Sequence, residues 1–149
     1  MMTPFPGEEE NWSLITTYST AQELHDLCDI GNLIKNISDY EEEFNSKGYL
    51  YCHKGILKSY IGTTGPIIHR RQRDHSKKRA VELLEDGDVE FWVAPIDGSE
   101  SRRKAIENYY IFTYKHIHNL INESFTPPPL DIRNERRPIL TVQSIFDTL

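Results

Sequence analysis

Two short runs rich in β-formers, Tyr49 to Cys52 and Ser59 to Gly62, flank the turn residues Lys54 and Gly55. That spacing constrains the middle of the chain to an antiparallel hairpin. A third run, Val89 to Ile96 (VEFWVAPI), follows the turn formers Glu85, Asp86, Gly87 and Asp88 and reads as a buried strand. Between hairpin and third strand, Gly65 and Pro66 punctuate the chain ahead of a basic helical stretch from about Ile67 to Leu84. Asp97, Gly98 and Ser99 then open a long helix, with Ile106, Tyr109, Tyr110, Thr113, Ile117, Leu120 and Ile121 as its broad apolar face. The order β-β-α-β-α predicts an α+β core built on a small three-stranded antiparallel sheet flanked by helices.

The flanks differ in character. Met1 to Tyr18 is rich in Glu and Pro and sustains no period, so it is expected to be irregular or partly ordered. From there, Ser19 with Gln22 or Thr20 with Glu23 offers a capping box. Leu24, Leu27, Ile30, Leu33, Ile34 and Ile37 continue as an amphipathic helix that Gly31 could break, and Ser38 with Glu41 offers a second helix start. Pro127, Pro128 and Pro129 begin an extended tail. Three segments result: an acidic, partly helical extension over 1–46, a core over 47–124 and a Pro-initiated tail over 125–149.

With 149 residues, 38% of them hydrophobic, the chain suits one compact domain with short extensions. Its two cysteines, Cys28 and Cys52, are too few for a disulfide framework or a four-thiolate zinc site. No apolar run approaches the roughly 18 residues that span a bilayer, and the acidic amino terminus is unlike a signal peptide. A soluble, cytoplasmic protein without membrane contact is the expectation. The net charge of −6 conceals an asymmetry. Residues 1–46 carry ten acids against Lys35, a net −9, whereas residues 47–79 carry nine cations against Asp74, a net +8. A basic module thus follows an acidic arm, and the arm reads either as a solvated face or as a nucleic-acid mimic over the basic cleft.

The hairpin and the helices beyond it carry a recurring constellation. Gly48-Tyr49-Leu50-Tyr51 lies on the first strand and Tyr60-Ile61-Gly62-Thr63 on the second. Arg71 and His75 follow, four apart and so on one helical face. Glu107 stands four residues before Ile111, and Asn122 follows Leu120-Ile121. In this order, over residues 48–122, the motifs resemble the GIY-YIG nuclease superfamily.

The resemblance implies a metal-dependent endonuclease that hydrolyses phosphodiester bonds in DNA, or in RNA. Tyr51 and Tyr60 would line the site, with Tyr51 drawing the proton from water; Arg71 would bind the scissile phosphate and His75 would assist. Glu107 would hold one Mg²⁺ or Mn²⁺ ion. Tyr49, Lys58, Thr63, Arg70, Arg73, Lys77 and Asn122 would contact substrate. The chemistry is coherent, because an anionic transition state needs fixed positive charge and a deprotonated nucleophile. Three choices stay open: Tyr49 against Tyr51, which share strand parity; Arg70 against Arg71; and Asn119 against Asn122. His116 and His118 read as ordinary helix residues. No base-reading element is evident, so a homo-oligomer or a targeting partner protein would supply any selectivity. The competing reading is a catalytically inactive module of the same fold, or an inhibitor, that binds nucleic acid or protein under control of the acidic arm.

Overall fold

The computed structural model describes residues 3–27, 48–64, 78–96 and 99–122. Four strands, β1 (Ser13–Tyr18), β2 (Gly48–Lys54), β3 (Ser59–Thr64) and β4 (Val89–Ile96), form one sheet in the order β1-β4-β2-β3. Every neighbouring pair is antiparallel. The helices are α1 (Ala21–Leu27), the short α2 (Arg79–Leu83) running into a 3₁₀ turn at Leu84–Asp86, and α3 (Glu100–Tyr114). The mixed α+β class agrees with the sequence, but the sheet has four strands where three were expected.

The additional strand is β1, from the stretch expected to be irregular. Its residues SLITTY are mostly β-branched or aromatic, and they pair along β4 from Ser13 opposite Val93 to Tyr18 opposite Val89. A shift of register between Leu14 and Thr16 leaves Ile15 as a bulge, which interrupts any simple alternation in the sequence. Pro95, which has no N–H to donate, falls beyond the end of β1, where β4 retains only β2 as its partner.

The hairpin forms as expected, with Gly55 N–H donating to the Lys58 carbonyl at 3.0 Å across a four-residue turn. β2 is the interior strand, and Gly48 through His53 are all buried. A strand covered on both faces reads as a continuous run rather than an alternation. On one face, Leu50, Cys52, Ile61, Trp92 and Ala94 pack against Ile106, Tyr109 and Tyr110 of α3 and against Phe5 and Trp12. On the other, Tyr18, Tyr49, Tyr51, Phe91 and Val93 pack against Leu24 of α1 and Ala80 and Leu83 of α2.

Helix starts follow local chemistry. At α1 the Thr20 hydroxyl accepts from Glu23 N–H at 3.1 Å, and the Glu23 carboxylate accepts from Ser19 N–H at 2.8 Å, so Thr20 with Glu23 is the operative cap. Ser99 caps α3 by accepting from Arg102 N–H at 3.2 Å. The expected apolar face of the last helix is shorter than its sequence pattern. α3 ends at Tyr114, Ile117 is 73% exposed, and Leu120 instead bridges to Ser59 of β3. The remainder of the helix expected through Ile37, the second start at Ser38, most of the basic helical stretch and the tail over 125–149 lie outside the described residues. Among the described residues no helix is long and apolar enough to cross a membrane.

Candidate functional site

The two glycines of the motifs each admit a neighbour that a side chain would exclude. At Gly62 an added Cβ would overlap the Tyr51 ring, with Cε2 at 2.8 Å and the phenol end closer still. Tyr51 is the register partner of Gly62, so the ring lies directly across the backbone of β3. At Gly48 a Cβ would stand 2.6 Å from Cδ of Arg103 and 2.7 Å from the Thr64 carbonyl oxygen. Gly48 therefore lets α3 approach the start of β2.

Around Tyr51 a group of aromatic rings shares one face of the sheet. Tyr60 stacks beside it with ring centroids 6.4 Å apart and planes 28° from parallel. His53, two residues along β2, meets Tyr51 edge to face at 5.7 Å and stacks on Phe91 at 4.8 Å. His53 Nδ1 lies 2.9 Å from the Tyr18 hydroxyl of β1. The Arg79 guanidinium of α2 sits over the Tyr60 ring, 5.3 Å from its centroid, where the ring's negative face attracts a cation. Tyr51 is 1% exposed and Tyr60 half-buried.

The structure thus brings Tyr51 and Tyr60 together, and it gives Tyr51 the closer relation to the second motif. Tyr49 shares its face but stands opposite Thr64, at the far end of β3. The other expected contacts are distributed differently. Lys58 pairs with Glu85 at 3.1 Å and Asp86 at 3.8 Å, and the hydrogen bond that it donates to Glu85 raises its pKa. Thr63 donates its hydroxyl to the Tyr49 carbonyl at 3.1 Å. The buried Asn122 amide accepts from Ile61 N–H at 3.2 Å and donates to Ile61 C=O at 2.8 Å, holding the edge of β3 as another strand would. Asn119 donates to the Leu57 carbonyl at 3.0 Å, at a positive φ of 49°.

Glu107 is on α3, the helix that covers the opposite face through Ile106 and Tyr110. Its side chain is only 15% exposed and lies 3.6 Å from the Lys104 ammonium. Arg70, Arg71, Arg73, His75 and Lys77 lie outside the described residues. Among the described residues no group of three His, Cys, Asp or Glu side chains could hold a metal between them.

Part of the acidic arm has a structural occupation. The Glu8 carboxylate accepts hydrogen bonds from Tyr109 at 2.6 Å and Tyr114 at 2.5 Å, and Glu10 accepts from Tyr110. Phe5 anchors the same segment among Tyr110, Tyr114 and His118, with ring centroids 4.8 to 5.2 Å away. These two acids therefore bind phenols of α3. Burial, reinforced by Glu10, raises the Tyr110 pKa, and burial likewise pushes the Cys52 thiol up.

His53, Tyr18 and Arg79 were not among the sequence candidates. The parity that places Tyr49 and Tyr51 on one face also places His53 there, and this was the available signal. Comparison of the chain with protein-family models, with curated proteins and with solved structures found no match.

Proposed function

We propose that this chain is a GIY-YIG-type endonuclease, hydrolysing phosphodiester bonds in DNA with the help of one divalent cation. The observation that carries the reading is the Tyr51 ring laid across Gly62 and beside Tyr60. It gives the two motifs a joint physical purpose: the glycine of the second creates the space that the tyrosine of the first occupies.

In this reading Tyr51 accepts the proton of the attacking water, and Tyr60 orients it. A phenol, with an ordinary pKa near 10, does so only where neighbouring positive charge favours the phenolate. The basic segment supplies such charge, with Arg79 already against Tyr60. Arg71 neutralises the scissile phosphate and His75 assists. Glu107 stands on α3, the helix over the other face of the sheet from Tyr51, and what supports it as the ligand is its donor chemistry, since hard cations such as Mg²⁺ or Mn²⁺ take carboxylate oxygen and keep several waters. The Lys104 ammonium that pairs with it is on a side chain 53% exposed. When bound, the ion supplies Lewis acidity toward the phosphate. Contacts from the basic segment run to the backbone, so affinity falls with salt, and a second copy or a targeting protein directs the enzyme. Action in the cytoplasm suits a chain whose one described cysteine, Cys52, is a buried free thiol.

One observation favours a second reading. With Tyr51 buried and Thr63 and Asn122 bonded to backbone, the same rings and amides also suit a catalytically inactive module that binds nucleic acid or protein. Incubation with plasmid, linear and single-stranded substrates, with Mg²⁺ or Mn²⁺ and with chelator, separates the two. Metal-dependent cutting supports the enzyme; binding of any substrate without cutting supports the module.

A further inference from the structure

We infer that His53, aligned by Tyr18, is a positioning residue for Tyr51, so that edge strand β1 helps to set the geometry of the site. The inference rests on the nuclease reading for its catalytic consequence. Its structural content stands on three described strands.

Three described neighbours of the Tyr51 ring bear on where it lies. The Gly62 backbone lies beneath it, the Tyr60 ring lies alongside, and the His53 imidazole meets it edge to face at 5.7 Å and 77°. The imidazole stands nearly perpendicular to the Tyr51 ring, so a change in its rotation alters the space left to that ring. Two described contacts bear on the orientation of this neighbour: Phe91 stacks on the imidazole at 4.8 Å and 18°, and the Tyr18 hydroxyl lies 2.9 Å from Nδ1. His53 is fully buried and Tyr18 is 1% exposed, so water does not compete for that hydrogen bond.

A histidine is costlier at this depth than a phenylalanine, which would keep the stack on Phe91 and need no partner. What histidine adds is directionality. The Tyr18 bond selects one imidazole rotation, and with it one position for the Tyr51 phenol. Catalytic groups misplaced by about 1 Å lose on the order of a hundredfold in rate.

The test uses the full chain and the variants Tyr18→Phe and His53→Phe, each of which keeps an aromatic ring in place. Tyr51 is followed through ¹³Cζ-labelled tyrosine by NMR, assigned by the loss of its signal in Tyr51→Phe, and cleavage is followed in parallel. Both variants are expected to shift the Tyr51 resonance and to lower kcat about three- to thirtyfold with KM unchanged. The double variant should be no slower than His53→Phe, since both changes remove one hydrogen bond. An unmoved Tyr51 resonance overturns the inference whether or not the protein cuts. A moved resonance with wild-type kcat overturns it too, as do additive losses in the double variant. If wild type cuts no substrate, the nuclease reading fails separately, and the resonance alone decides whether Tyr18 positions Tyr51 through His53.

Discussion

The ring of Tyr51 lies across the backbone of Gly62, its register partner on the neighbouring strand, where any Cβ would overlap it. The two residues are 11 positions apart in a hairpin, yet each is explicable only by the other. Replacing Gly62 with Ala should destabilise the protein by about 1–3 kcal/mol, the usual cost of overpacking a filled site. The same change should cost much less in a Tyr51→Ala background. Equal costs in the two backgrounds, measured by urea unfolding, would show that the pair is not coupled.

Asn122 makes two hydrogen bonds to the backbone of Ile61, and both ends are buried. Removing the amide by Asn122→Ala leaves an N–H and a C=O to be satisfied at the edge of β3. The expected loss is about 1–3 kcal/mol, read as a lower urea midpoint with an unchanged slope. A midpoint equal to that of wild type would contradict the pairing.

The hairpin, the buried third strand and the last helix were legible because each depends on local signals: turn residues, β-branched runs and a Ser cap. The first strand was not. Its pairing partner lies more than 70 residues downstream, and the bulge at Ile15 erases its alternation. Expected helix positions Ile117 and Leu120 failed for a related reason: the bridge from Leu120 to Ser59 outcompetes helical continuation. In the site, motif spacing marked Tyr51 and Tyr60, but nothing local says that Lys58 will meet Glu85, or that Glu8 will meet Tyr109 and Tyr114. Those pairings are set by tertiary packing.

Alkaline pH should weaken the fold. Burial raises the Tyr110 and Cys52 pKa values above their ordinary 10.0 and 9.0, so the folded chain retains protons that the unfolded chain releases. Stability is then undiminished below about pH 9 and falls as pH rises through and beyond the ordinary values. In pH-dependent urea titrations, Tyr110→Phe and Cys52→Ala should each flatten that decline. An unchanged alkaline slope in both variants would count against these sites.

Acid pH acts through His118, which packs on Phe5 and Tyr114 with ring centroids 5.2 Å from each. Burial first, and then Lys54, lowers its pKa below the ordinary 6.5. The unfolded chain thus takes up a proton that the folded chain refuses, and stability falls as pH drops from about 6.5 through the lowered value. His118→Phe keeps the ring packing and removes this titration, so it should flatten the slope between pH 6.5 and 5. A variant as acid-sensitive as wild type would place the responsible group elsewhere.

The most direct measurement is single-turnover cleavage of DNA with Mg²⁺ or Mn²⁺ by wild type, Glu107→Ala and Tyr51→Phe, each first shown to unfold cooperatively. The nuclease account predicts metal-dependent cutting by wild type, its abolition in Glu107→Ala, and a loss of about 10²- to 10⁴-fold in Tyr51→Phe, the range for removing a general base. Cutting that survives both substitutions, or a folded wild type that binds DNA with either metal and never cleaves it, would contradict the account.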